Sequence, residues 1–309
     1  MNRPTVVAFG GGHGLAASLS ALRHLTDAIT AIVTVADDGG SSGRLRAEYD
    51  VLPPGDLRMA LAALCDDSEW GHLWRDVLQH RFSGQGPLAG HALGNLLIVA
   101  LWELLGDTSG SLEVVGRLLG ARGRVLPMAT VPLTIAAEVV GRPGAAPDVV
   151  RGQSKVARAP GHVVSVWLDP PDPPASAEAV AAIMDADWLV LGPGSWFTSV
   201  MPHLLVPQLR EALESTPARR VLTLNLQLNR GETEGYSAQR HLRSLQEHAP
   251  NLQLDVVLAD PSVVDDPDSL ADAAAALGAD LVLATVRAPD HPAQHDVLRL
   301  AAAYRDIFS

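Results

Sequence analysis

The chain has 309 residues, 47% of them hydrophobic and 19% charged, which suits a packed α/β domain and excludes a disordered chain. Its formal net charge of −12 excludes the basic face that a duplex nucleic acid requires, while a local basic pocket for a small phosphorylated ligand stays open. Cys65 is the single cysteine, so an intrachain disulfide and a cysteine zinc cluster are excluded and a reducing compartment fits.

The opening "MNRPTVVAFGGGHG" has a short apolar run that stops at glycines, unlike a signal peptide. "TVVAFG" predicts a buried parallel strand, "LAASLSALRHL" a helix and "ITAIVTVA" a second buried strand, together a βαβ unit. A mainly helical insertion is predicted over residues 56–122, after the second strand. Asp56 is the expected N-cap of its first helix, because Pro53, Pro54 and Gly55 block an earlier start. The longest apolar stretch, "LGNLLIVALWELLG", is interrupted by Asn95 and Glu103 and is too short to span a bilayer. A cytoplasmic protein without membrane insertion is the expectation.

"RVLPMATVPLTIAAEVVG" and "PGHVVSVWLDP" alternate as strands do, with prolines favouring edges and turns. "PDPPASAEAVAAIMDA" predicts a turn and a helix, and "DWLVLGPGSWFTSVMPHLL" repeats the opening plan of strand, glycine turn and helix. "RRVLTLNLQ", "LDVVLAD" and "ADLVLATV" are further strands. No low-complexity linker divides the chain, so residues 1–309 are expected to form one Rossmann-like α/β domain, a parallel sheet with helices on both faces.

Within the first turn, Gly12-His13-Gly14-Leu15-Ala16-Ala17 fits G-x-G-x-x-A. Glycines allow a tight turn and a close approach of backbone N–H groups to a phosphate, and the helix N-terminus adds a favourable potential. The next strand ends at Asp37 and Asp38, about 20 residues on, where a dinucleotide fold places its ribose-binding acid. This pattern alone suggests an NAD(P)-dependent oxidoreductase. A ribose needs one acid, however, and here two adjacent carboxylates are followed by Gly39, Gly40, Ser41, Ser42, Gly43 and Arg44. Adjacent carboxylates repel unless a cation, a sugar or strong donors lie between them. The glycines permit a ligand-hugging backbone, and the serines and Arg44 can donate to phosphate. A polyhydroxylated, phosphorylated ligand would use all of these groups; a solvated loop is the alternative.

The second turn, Gly192-Pro193-Gly194-Ser195, also follows a strand, so both turns can face one crevice. Ser195 and Thr198 can cap the next helix, bind a phosphate, or do both. "NLQLNRGETEGYSAQRHL" presents Asn225, Gly231, Glu232, Thr233 and Tyr236 after another strand; Tyr236 can stack on a base or sugar, or be an ordinary half-buried aromatic. His91 and Asn95 are four apart on one predicted helical face without a third metal ligand, and His295-Asp296 reads as a helix start, with site membership as the alternative.

"VVAFGGGHGLAASLSALR", "ITAIVTVADDGGSSGRLR", "PPGDLRMALAAL", "GHALGNLLIVAL", "LGPGSWFTSVMPHLLVP", "GETEGYSAQRHL" and "HDVLRLA" resemble, in order and over nearly the whole chain, the YvcK-type gluconeogenesis factors. These are UDP-N-acetylglucosamine-binding members of the CofD-like, 2-phospho-L-lactate transferase superfamily. The resemblance implies a Rossmann-like fold with a helical insertion, and a nucleotide-sugar-binding regulator of cell shape and envelope precursor supply during gluconeogenic growth. It assigns Gly11, Gly12 and Gly14 to the phosphate turn, and Asp37, Asp38, Gly39, Gly40 and Ser41 to a signature loop beside Asp56 and Arg58. Gly194, Ser195 and Thr198 supply the second turn, and Asn225 and Tyr236 line the pocket. The transferase relatives move a phosphate-linked lactyl group onto a deazaflavin with magnesium, which makes a Mg²⁺-dependent transferase, its metal held by Asp37, Asp38 or Asp56, the alternative function. Family type and fold set a homodimer and a regulatory protein partner as further expectations. The chain departs from the family pattern at His13, where threonine is common, at Trp196 and Phe197 for leucine and tyrosine, and in "NLQLNRGETEGY" for "NIMTQPGETDGY".

Overall fold

The structure, a computed structural model, describes residues 3–141, 146–228 and 231–309. The chain opens with β1 (Val6–Gly10), α1 (Gly12–Leu22) and β2 (Ile29–Val33), both strands buried along their whole length. Helices α2 (Gly40–Tyr49), α3 (Pro54–Ala63), α4 (Glu69–Gln79), α5 (Leu93–Leu105) and α6 (Thr108–Leu119) follow before β3 (Arg124–Pro127). β4 (Thr134–Val140), β5 (Asp148–Arg151), the short α7 (Gln153–Val156) and β6 (His162–Asp169) lead to α8 (Ala177–Met184) and β7 (Trp188–Leu191). A π-helical turn (Trp196–Val200) and a 3-10 turn (Met201–Leu205) precede α9 (Pro207–Ser215). The chain finishes with β8 (Arg219–Thr223), α10 (Ala238–His248), β9 (Val256–Ala259), α11 (Pro267–Ala275), β10 (Asp280–Leu283) and α12 (Val297–Phe308).

Seven strands form one parallel sheet in the order β10-β9-β8-β7-β1-β2-β3. The chain winds outward in one direction from β1 and in the other from β7, the doubly wound Rossmann pattern. Helices α1, α3 and α12 pack together, whereas α8 packs with α9 and α10 with α11. Two strands expected in one alternating stretch separate: β3 closes an edge of the main sheet, with Pro127 where an edge tolerates a missing N–H, and β4 joins an antiparallel sheet of order β5-β4-β6.

Two local expectations change. Asp56 is not an N-cap: Pro53 takes that position and Pro54 begins α3. Proline is well placed at the first helical position, where its missing N–H has no partner to lose. Asp56 therefore lies in the first turn, with its side chain free to face another element. The glycine-serine run after the aspartates is likewise no open loop, since α2 begins at Gly40. No helix among the described residues is long and apolar enough to cross a membrane.

Candidate functional site: a crevice between two glycine turns

The two glycine turns leave the carboxyl ends of β1 and β7, adjacent strands at the point where the strand order reverses. In open parallel sheets this is the crevice where ligands bind. Gly12 (φ +57°) and Gly192 (φ +72°) hold conformations that side-chain-bearing residues rarely adopt. The turns touch backbone to backbone: a Cβ on Gly14 would strike the Pro193 carbonyl and lie 2.7 Å from the Gly194 Cα. Gly11 is the N-cap of α1, and no side chain caps that helix. Between the turns lies a cavity of about 490 Å³, lined in part by Gly11, Gly12, Gly14, Ser195, Asn225 and His295. That volume is in the range of small-molecule sites.

Asn225, at the end of β8, leans onto the second turn, its Nδ2 donating to the Gly194 carbonyl at 3.4 Å. Ser195 is exposed and precedes the π-helical turn without capping it through its side chain, so its hydroxyl stays open to the crevice.

The adjacent aspartates take different directions. Asp37 Oδ1 accepts the Gly39 N–H at 2.9 Å, while its Oδ2 lies 3.0 Å from where a Gly55 Cβ would stand. Asp38 Oδ1 accepts the Ser154 N–H at 2.9 Å and holds the start of α7. The carboxyl that joins Asp37 electrostatically is Asp56. Burial, and next the Asp37 charge, push Asp56 up to about 7, against the Gly12 N–H that donates to it and the Arg58 charge. Asp56 also lies against Gly11, where a Cβ would strike its Oδ2. Asp56 therefore stands at the first turn, and Asp37 is near enough for its charge to act on it. Among the described residues no group of three His, Cys, Asp or Glu side chains could hold a metal ion.

Several sequence-assigned residues are engaged in the protein itself. The buried Ser41 hydroxyl lies 3.0 Å from His91 Nδ1 and accepts from Asn95 Nδ2 at 3.0 Å, so it ties α2 to α5. His91 itself lies just before α5, which starts after the N-cap Ala92. Thr198 is buried in the π-helical turn and donates to Glu232. Glu232 Oε1 accepts the Phe197 N–H at 2.8 Å, its Oε2 has no partner, and burial raises it to about 7. Tyr236 is also buried, its hydroxyl donating to the Val163 carbonyl at 3.3 Å and its ring edge-on to Phe197 and His241. It is not among the residues that line the crevice. Asn229 and Arg230, within the stretch that departs from the family pattern, lie outside the described residues. Gly39 and Gly40 form the N-terminus of α2, and Arg58 faces a neighbouring cleft rather than the crevice.

Sequence reasoning assigned no site role to Gln227 or His13 and read His295 first as a helix start, with site membership as the alternative. All three line the crevice. Asp296 does cap α12, accepting the Arg299 N–H at 2.9 Å. His295 instead has a buried Nε2 without a partner, and burial lowers it to about 4. Its sole sequence signal was polarity next to a helix cap, which does not separate a site residue from a surface one.

Residues 6–298 match the family model described as 2-phospho-L-lactate transferase CofD. The chain belongs to the CofD family. Within that family it is 39% identical over 265 residues to the gluconeogenesis factor of Bacillus subtilis, covering 85% of this chain and 81% of that protein. A Mycobacterium tuberculosis H37Rv protein, given the same name provisionally, is 54% identical over 303 residues, covering 96% of this chain and 88% of its own. The crystal structure of a UPF0052 family member from Bacillus halodurans superposes with a TM-score of 0.87 at 35% identity, covering 98% of this chain and 99% of that one. The CofD membership agrees with the motif resemblance and with the doubly wound sheet.

Proposed function

We propose that this CofD-family chain binds UDP-N-acetylglucosamine in the crevice between its glycine turns and acts as a cytoplasmic regulator, supplying envelope precursors and cell-shape control during gluconeogenic growth. The observation that carries the reading is the contact of Gly14 with Pro193 and Gly194, which brings two phosphate-competent backbone turns to one cavity. Ser195, Asn225, Gln227 and His295 add neutral polar groups around that cavity, suited to the hydroxyls and amides of a sugar nucleotide. The gluconeogenesis-factor names of the relatives support the general role.

Mg²⁺-dependent group transfer is the second reading, favoured by the proximity of Asp37 and Asp56 to the first turn. The two hard carboxylates fit a Mg²⁺ facing a diphosphate, with Asp38 in support through its hold on Ser154. When bound, the ion would neutralise diphosphate charge; the chain's own part is to hold the two carboxylates together.

Calorimetric titration with UDP-N-acetylglucosamine, with and without Mg²⁺, tests both readings. Saturable binding is expected, weakened about tenfold by Asn225→Ala, with the ligand recovered intact. A magnesium requirement lost in Asp37→Asn would assign the cation to the carboxyl pair. No binding at millimolar ligand overturns the nucleotide-sugar reading, and a chemically altered ligand replaces the regulator with the transferase.

A further inference from the structure

A second concavity, of about 480 Å³, opens between α1, α3 and α4. Four guanidinium groups line it, those of Arg23, Arg58, Arg75 and Arg81, and no carboxylate does. That concentration of positive charge occurs in a chain whose formal net charge is −12. Two of the four are neutralised from outside the cleft: Arg23 pairs with Asp67, and Arg75 with its neighbour Asp76 at 2.9 Å. Among the described residues, Arg58 and Arg81 pair with no carboxylate within salt-bridge distance.

Arg58 is the unusual member. It is 3% exposed, and its buried Nε has no hydrogen-bond partner. Its stem is clamped over α5, where a Cβ on Gly94 would stand 2.9 Å from both Cγ and Cδ. Burial, and next the positive charge of Arg81, lower it to about 10, with Asp56 and Asp37 opposing. A buried guanidinium with a like-charged neighbour is unfavourable by itself, and an anion between the two relieves the repulsion. Guanidinium forks match the paired oxygens of a phosphate, and several of them suit a dianion better than a single carboxylate.

We propose that this arginine cleft is a second anion site, which takes the phosphate group of a small molecule bound alongside the ligand of the glycine crevice. His13 lines both concavities, so the two ligands approach each other at the first turn. Met59, Ala62 and Ala63 provide an apolar wall for the rest of the second molecule. The proposal does not depend on which ligand fills the crevice.

The test is titration of the full chain with inorganic phosphate, with acetate as the carboxylate control, in the absence and presence of UDP-N-acetylglucosamine. Phosphate should bind saturably in the millimolar range or below, and more tightly than acetate. The double variant Arg75→Gln/Arg81→Gln, altered at the rim, should weaken phosphate at least about tenfold. Asn225→Ala, on the crevice side, should leave phosphate affinity within about twofold. Arg58→Gln should also abolish binding; if that variant does not fold, the rim variant still decides. The proposal is overturned if phosphate does not bind, if it is indifferent to the rim arginines, or if the nucleotide sugar displaces it. A chain that binds phosphate at the arginines but no UDP-N-acetylglucosamine would keep this site and remove the nucleotide-sugar reading.

Discussion

The two glycine turns solve one problem with different materials. Each starts a helical segment, and each has beside it a carboxyl group that the fold pushes up to about 7, half-buried at the first turn and buried at the second. At the first turn the carboxyl is Asp56, supplied by α3, and its second perturbing influence is the charge of Asp37. At the second it is Glu232, met by the donors of Phe197 and Thr198 and by no neighbouring charge. The first arrangement holds two carboxylates near one another and favours a cation or a shared proton. The second satisfies backbone donors and so is structural. Burial alone therefore does not distinguish the two acids; the charge of the neighbour does.

Breaking the second turn should cost most. Glu232→Ala strands the Phe197 N–H and the Thr198 hydroxyl in the interior, and we expect a loss of about 3 kcal/mol. A fall in the urea midpoint at constant slope would register it. Gly14→Ala forces a methyl group into the Pro193-Gly194 backbone, with an expected loss of about 2 kcal/mol and of crevice binding together. If stability falls and binding persists, the turns do not form the site.

Asp56→Asn sharpens the contrast through pH. The folded state raises Asp56 from 3.8 to about 7, so folding favours the protonated acid. The stability this contributes is fully present below about pH 4 and is lost as pH rises through about 7. The always-neutral asparagine lacks that decline, so the variant should gain on the wild type by on the order of 2 kcal/mol across that interval. His203, His241 and His295 act in the opposite sense, because each is lowered from 6.5 to about 4 and its contribution is lost as pH falls. They are present in both proteins and cancel in the comparison. Stability differences measured by denaturation at several pH values check this; a flat difference would show that folding does not raise Asp56.

The smallest effect is expected under the second turn. Tyr304 of α12 places its hydroxyl 3.0 Å from both Ser18 Oγ and Thr223 Oγ1, and Ser18 donates to the Gly192 carbonyl at 3.0 Å. Tyr304→Phe leaves the Ser18 bond to the turn and should cost about 1 kcal/mol in the same denaturation measurement, with crevice binding retained.

Much of the sheet was legible because buried parallel strands are short apolar runs, and glycine marks where they turn. "TVVAFG", "ITAIVTVA" and "WLVLG" contain β1, β2 and β7, and the two turns that follow β1 and β7 do meet. The candidate site was legible in its two backbone turns and in Ser195 and Asn225, which follow strands at its edge. Ser41, Thr198 and Tyr236 carry the right chemistry by type, yet their polar groups are met by His91, Glu232 and the Val163 carbonyl. Those partners lie far along the chain or on a different element, and a linear pattern contains no distance between them.

The sequence by itself determined the alternation of strand and helix, the glycine positions that only glycine can occupy, and the family signature, because each depends on residues near in the chain. Tertiary structure decided which carboxyl group the Asp37 charge acts on, that Asp38 turns instead to Ser154, that His295 reaches the crevice, and that four arginines from the end of α1, from α3, from α4 and from the segment after it share one cleft. Burial and electrostatic coupling depend on distance in space, and that distance is set only when the sheet closes and its helices pack.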